Sequence, residues 1–152
     1  MSGVEYVMHV GICVADLERA RTFYRDGLGF VEDSTLEIGG EPTASLLGLP
    51  SDLELRAVYL ARDGCRIELL DYPRPGTIGE PTPRPMNQLG LTHFAIRVTN
   101  LDETIAKLGE LGGKLVEGTM VANEEYGSRV VYMIDPEGTR LELAEMANDP
   151  TR

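Results

Sequence analysis

Two histidines occur in the 152-residue chain, His9 and His93. Each opens one copy of a repeated phrase: Met8 to Leu17 (MHVGICVADL) returns as Thr92 to Leu101 (THFAIRVTNL). A second phrase, Gly64 to Leu70 (GCRIELL), returns as Gly138 to Ala144 (GTRLELA), so each half supplies one histidine near its start and one glutamate, Glu68 or Glu142, near its end. Neutral imidazole and carboxylate oxygen together suit a divalent ion of intermediate hardness, Ni, Co, Zn, Mn or Fe. Four protein ligands leave two positions of an octahedral shell open for a substrate. Taken singly, a strand histidine is more often a satisfied polar residue than a ligand, and an edge-strand glutamate is usually solvated. Their matched places in two repeats point to a shared site.

Strand alternation decides which way these residues face. Residues 7–14 form an expected strand in which Val10, Ile12 and Val14 alternate with His9, Gly11 and Cys13. Asp16 stands where an N-cap belongs, and Leu17, Ala20, Phe23 and Tyr24 follow at helical spacing until Gly27 and Gly29. A strand is expected over 30–36, then a loop over 38–53 with one helical turn around 44–47. Strands over 55–61 and 65–72 are joined at Asp63-Gly64, a strong hairpin signal. The second half repeats the order: a strand over 91–98, a helix capped by Thr99 or Asn100 with Leu101, Ile105, Leu108 and Leu111 as its apolar stripe, and a short strand over 114–117. A polar loop over 121–128 and a hairpin of 129–134 with 139–146 complete it. Each half is therefore βαβββ. His9, Glu68, His93 and Glu142 all lie on the face opposite the aliphatic residues, pointing into the hollow of a curved sheet.

The expected class is α+β, with two βαβββ modules forming a curved, barrel-like mixed sheet and the helices outside. The modules span 1–72 and 91–146, joined by a linker over 73–90 that carries Pro73, Pro75, Pro81, Pro83 and Pro85, and followed by a tail over 147–152. The histidines are 84 residues apart and the glutamates 74, and the ten-residue difference falls in the longer mid-module loop of the first half.

A formal net charge of −11 disfavours nucleic acid and anionic membrane surfaces as partners and leaves a small molecule as the expected one. No apolar run approaches the roughly 18 residues of a membrane span, and the first residues lack signal-peptide character, so a cytoplasmic protein is expected. Cys13 and Cys65 are expected to be small buried hydrophobes rather than a disulfide or zinc ligands.

The paired βαβββ pattern with its His, Glu, His, Glu set resembles the vicinal oxygen chelate superfamily, which includes glyoxalase I, methylmalonyl-CoA epimerases, extradiol dioxygenases, fosfomycin-modifying enzymes and bleomycin-resistance proteins. The resemblance covers residues 6–146. It implies one divalent metal held by His9, Glu68, His93 and Glu142, and a homodimer. Glyoxalase I-like members carry the same four residue types. Epimerases usually have Gln where this chain has Glu68, extradiol dioxygenases use two His and one Glu, and the bleomycin-type binding proteins lack the set.

The implied activity is a glyoxalase-like lyase or isomerase. Its substrate would chelate the metal through adjacent oxygens and pass through an enolate or enediolate, with an acyl-CoA epimerase, an extradiol-type dioxygenase and a non-catalytic binding protein as alternatives. Glu142 is the first candidate for the base and Glu68 the second. By parity Arg66, Leu70, Arg97, Arg140 and Ala144 share the inward face, with Ala57 and Tyr59, while Tyr72 and Tyr126 are further pocket candidates. Arg66 and Arg140 sit close to their hairpin turns, and the solvent end of the strand is the expected place for them over a pocket role.

Overall fold

The computed structural model describes residues 3–147, so most of the expected tail (148–152) lies outside the described residues. The chain divides into two compact units, one ending at Ile78 and the other beginning at Gly79.

In the first unit the order is β1 (Val10–Cys13), α1 (Leu17–Thr22), β2 (Val31–Gly39), α2 (Thr43–Leu47), β3 (Glu54–Arg62) and β4 (Cys65–Arg74). The four strands make one mixed sheet in the order β1-β4-β3-β2, with β1 parallel to β4 and the other pairs antiparallel. The sheet forms because one strand face is aliphatic. Val14, Val58, Leu60, Ile67 and Leu69 are each at most 3% exposed, as are Ala20, Phe23 and Tyr24 of the helical segment. Each such large side chain contributes about 1.5–3 kcal/mol by leaving water. Alternate residues of β4, namely Arg66, Glu68, Leu70 and Tyr72, are only partly buried. The expected helix after Asp16 exists, and the Asp16 carboxylate accepts from the Arg19 amide as its cap. Its last turn, Phe23–Gly27, is π-helical. Asp63 (φ 51) and Gly64 (φ 78) both take positive φ, as a two-residue turn between right-twisting strands demands.

The second unit runs β5 (Phe94–Val98), α3 (Leu101–Glu110), β6 (Lys114–Leu115), β7 (Val121–Asn123), β8 (Ser128–Ile134) and β9 (Arg140–Met146). Its sheet has the order β5-β9-β8-β6, with β7 paired to β8. The expected polar loop over 121–128 thus contains a short strand, held by the Val121↔Val130 to Asn123↔Ser128 ladder. Leu101, Leu108, Val131, Met133, Leu141 and Leu143, all at most 1% exposed, form the core.

The α+β class and the two βαβββ modules are as the sequence implies. Among the described residues the strands form two sheets, one per unit, with no closed barrel. Both first strands also start later than expected. His9 and His93 each stand one residue before the ladder begins, its first pairs being Val10↔Ile67 and Phe94↔Leu141.

The cysteines correct an expectation. Cys13 and Cys65 are both exposed. Burial in β1 is one-sided, so Cys13, opposite Ile12 and Val14, lies away from the core, and Cys65 opens β4 beside the hairpin turn.

Asn100 caps α3. Its side-chain oxygen accepts from the Glu103 amide at 3.1 Å and its amide donates to the Glu103 carboxylate at 3.1 Å. Replacing it by Ala is expected to cost about 1 kcal/mol of stability, read as a lowered urea midpoint with unchanged slope; an unchanged midpoint would show that the cap is not holding the helix.

Candidate metal centre

The parallel ladders position the four sequence-predicted ligands. In the first unit Gly11 is the ladder partner of Glu68, and in the second Ala95 is the partner of Glu142. Each histidine lies two residues before that partner, on the same strand face, and so reaches diagonally over the glutamate. His9 Nε2 is 2.9 Å from Glu68 Oε2, and His93 Nε2 is 3.2 Å from Glu142 Oε2. The side chains are 29% and 12% exposed in the first pair and 25% and 23% in the second, so each is reachable from solvent. Gly11 leaves room here: a Cβ at that position would stand 3.2 Å from Leu70 Cδ1.

Each unit brings two predicted ligands together. No group of three or more His, Cys, Asp or Glu side chains suited to a metal is gathered among the described residues. What the units hold are two half-sites of the same composition. Their chemistry fits a divalent ion: in each, an imidazole nitrogen and a carboxylate oxygen converge. The second nitrogens differ. His93 Nδ1 lies 2.9 Å from Thr92 Oγ1, which can fix its tautomer, whereas His9 Nδ1 is buried without a hydrogen-bond partner.

A third residue completes each half-site. Tyr59 is the ladder partner of Glu68, and Tyr132 of Glu142. The Tyr132 hydroxyl donates to Glu142 Oε2 at 2.9 Å, and Tyr59 is likewise hydrogen-bonded to Glu68. Each ring also stands edge-on to its histidine, with centroids 5.5 Å apart and planes at 71° for His9 and Tyr59, and 5.4 Å and 74° for His93 and Tyr132. Parity places Tyr59 on this face from sequence, but Tyr132 escapes it. The 74-residue offset that aligns the glutamates carries Tyr59 onto Met133. The first hairpin closes on two residues (Arg62↔Cys65) and the second on five (Ile134↔Arg140), so only counting back from each turn brings Tyr132 opposite Glu142.

The other inward candidates do separate work. The Arg66 guanidinium lies 4.2 Å over the Tyr59 ring, donates to Ser34 Oγ at 3.2 Å and pairs with Asp33, which a β-bulge in β2 turns toward it. Arg140 instead donates to main-chain carbonyls, Arg84 O at 2.7 Å and Thr92 O at 3.5 Å, and to Met86 sulfur, so it clasps the segment that carries His93. The proline-rich stretch from Gly79 is thereby tied to its own unit, where Pro81 and Thr82 pass so close to Gly138 that a Cβ there would fall 2.5 Å from Pro81. Arg97 donates to Met146 O at 2.9 Å. Ala57 and Ala144 are buried, Tyr72 packs on the cluster of Ala44, Leu53 and Leu55, and Tyr126 is exposed near the turn between β7 and β8.

Comparison with known proteins follows the same lines. The sequence matches the Glyoxalase/Bleomycin resistance protein/Dioxygenase superfamily over residues 6–143. The chain belongs to that superfamily. It is 32% identical over 145 residues to the uncharacterized protein YaeR of Escherichia coli, covering 95% of this chain and 99% of YaeR. The crystal structure of a glyoxalase family protein from Bacillus cereus is similar at a TM-score of 0.83 and 26% identity, covering 97% of this chain and 99% of that one. A mutant of the fosfomycin resistance protein FosX from Listeria monocytogenes, in complex with Mn(II) and 1S,2S-dihydroxypropylphosphonic acid, shares the fold at a TM-score of 0.63 and 17% identity, covering 97% and 96%. No helix among the described residues is long and apolar enough to cross a membrane.

The tyrosines make the half-sites sensitive to alkali. The hydrogen bond to Glu68, then burial and the Glu68 charge, push the Tyr59 phenol up from 10.0 to about 12, while Arg66 pulls it down. Burial, then the bond to Glu142 and its charge, raise Tyr132. An acid whose pKa rises on folding stays protonated in the native state while the unfolded chain ionises. Its contribution to stability is therefore full below pH 10 and lost as pH climbs toward about 12. In metal-free protein the urea midpoint should fall more steeply across that window for wild type than for Tyr59→Phe; equal slopes would show that the phenol is not held by Glu68.

Proposed function

We propose that this vicinal oxygen chelate protein is a metal-dependent lyase or isomerase of glyoxalase type, acting on a small substrate that presents two adjacent oxygens. The observation that carries this reading is the convergence, in both units, of one imidazole Nε2 and one carboxylate Oε2, at 2.9 and 3.2 Å. His9, Glu68, His93 and Glu142 are proposed to hold one divalent ion, Ni, Co, Zn, Mn or Fe, with the half-sites paired within a chain or across a homodimer. Members of the superfamily bind small molecules and often dimerise. When bound, the ion would stabilise the negative charge that develops on the chelated substrate oxygens.

The residues of the chain do the rest. Glu142 takes the proton from the carbon next to the carbonyl and returns it to the neighbouring position or to the same carbon from the other side. A carboxylate suits this work because it can loosen from a ligand position and accept a proton without leaving the site. Glu142 is the better placed of the two glutamates, since its side chain is 23% exposed against 12% for Glu68. The histidines, which have no proton to give from a coordinating nitrogen, serve as fixed ligands. The complete His, Glu, His, Glu set supports this reading over the dioxygenase and binding-protein alternatives.

Exchange in deuterated water tests the reaction class. With 2-hydroxy, 2-oxo or thioester compounds, metal-loaded protein should exchange the hydrogen next to the carbonyl without consuming oxygen. Glu142→Gln should slow that exchange by roughly 100-fold or more, with metal content measured on the same sample. Oxygen uptake without exchange would instead mark a dioxygenase. Full activity in Glu142→Gln together with loss in Glu68→Gln would move the base to the first unit.

A further inference from the structure

We propose that Tyr59 and Tyr132 are positioning residues that fix the carboxylates of the two half-sites, an inference that rests on the metal reading above. A glutamate projecting from a strand has several rotatable bonds, and a ligand carboxylate that swings between its two oxygens presents no fixed donor. A phenol directly opposite on the next strand removes that freedom. In the second unit the Tyr132 hydroxyl donates to Glu142 Oε2, the same oxygen that lies 3.2 Å from His93 Nε2. Its ring edge meets the imidazole, so one side chain braces both members of the pair. The first unit builds the same brace from Tyr59, Glu68 and His9, with centroid distance and ring angle reproduced within 0.1 Å and 3°.

Two features separate this arrangement from an incidental hydrogen bond. The hairpins that carry the phenols differ in turn length, yet in each the tyrosine is the ladder partner of the glutamate. And both phenols point to the polar face, away from the cores made by Leu60 and Ile67 in one unit and Met133 and Leu141 in the other. A tyrosine needed only for packing could face the core as its neighbours do.

The two braces are not equal. Arg66 covers the Tyr59 ring and is itself anchored by Asp33 and Ser34, whereas its repeat counterpart Arg140 is turned away to the main chain around residues 84–92. Tyr59 therefore holds Glu68 as the firmer ligand. Glu142 is held by Tyr132 without the second anchor that Arg66 gives Tyr59.

Titration with Co(II), followed by its visible absorption, tests the proposal without recourse to activity. Tyr59→Phe and Tyr132→Phe should each weaken Co(II) binding by about 10- to 100-fold and shift the ligand-field bands, while the metal-free proteins still unfold in one cooperative transition. Wild-type affinity and an unchanged spectrum in both variants would overturn the positioning role and leave the metal reading standing. No Co(II) uptake by wild type would overturn both. If one variant does not fold, the other half-site carries the same test.

Discussion

The register of two parallel strand pairs is the constraint on which everything else rests. β1 against β4, and β5 against β9, are aligned so that the residue two places after each histidine is the ladder partner of a glutamate. A slip of one residue would turn every side chain on the moving strand to the other face. The histidine would then face the helices, and Ile12 or Ile96 the half-site. What forbids the slip is the aliphatic set on the other face of the moving strand, Ile12 and Val14 in one unit, 8% and 1% exposed, and the half-buried Ile96 and Val98 in the other, with Ile12 and Ile96 paired to the fully buried Leu69 and Leu143. At about 1.5–3 kcal/mol per large side chain, their exposure would outweigh anything a partly exposed His and Glu pair returns, which for such pairs is about 0–1 kcal/mol. The core therefore sets the half-site geometry, and the polar pair inherits it.

That division of labour explains why so much was legible in the sequence. Alternation in GCRIELL and GTRLELA assigns Glu68 and Glu142 to the face away from the core, and the burial pattern of β4 and β9 agrees. Asp16 and Asn100 announce helix starts through a mechanism local to one turn, and both act as caps. Asp63-Gly64 fixes a two-residue hairpin for an equally local reason, the need for positive φ at both positions.

The features that escaped depend on distances along the chain that sequence does not print. Tyr132 was hidden by the three extra residues in its hairpin turn, since repeat alignment and ladder register disagree there by one position. The exposure of Cys13 and Cys65 follows from one-sided burial and from closeness to a turn, whereas residue type alone suggests a buried thiol. The strand β7 is stabilised by its pairing with β8, not by any apolar pattern of its own, for all three of its residues are exposed. The division of the strands into two sheets is likewise a matter of pairing, which periodicity does not report.

The repeat is also a study in divergence of equivalent residues. Arg66 and Arg140 occupy the same place in the phrase, yet one is stacked on a tyrosine and neutralised by Asp33 while the other gathers main-chain carbonyls. Thr92 meets His93 Nδ1, and its counterpart Met8 offers His9 nothing comparable. On the function proposed above, such differences would let two like half-sites take unlike roles at one ion. The most direct test of that central claim is the metal content of protein loaded with Ni or Co and desalted, compared for wild type, His9→Ala and His93→Ala. One ion per chain in wild type, with most of it lost in either variant, is the predicted result; full wild-type occupancy in either variant would contradict a single site built from both units.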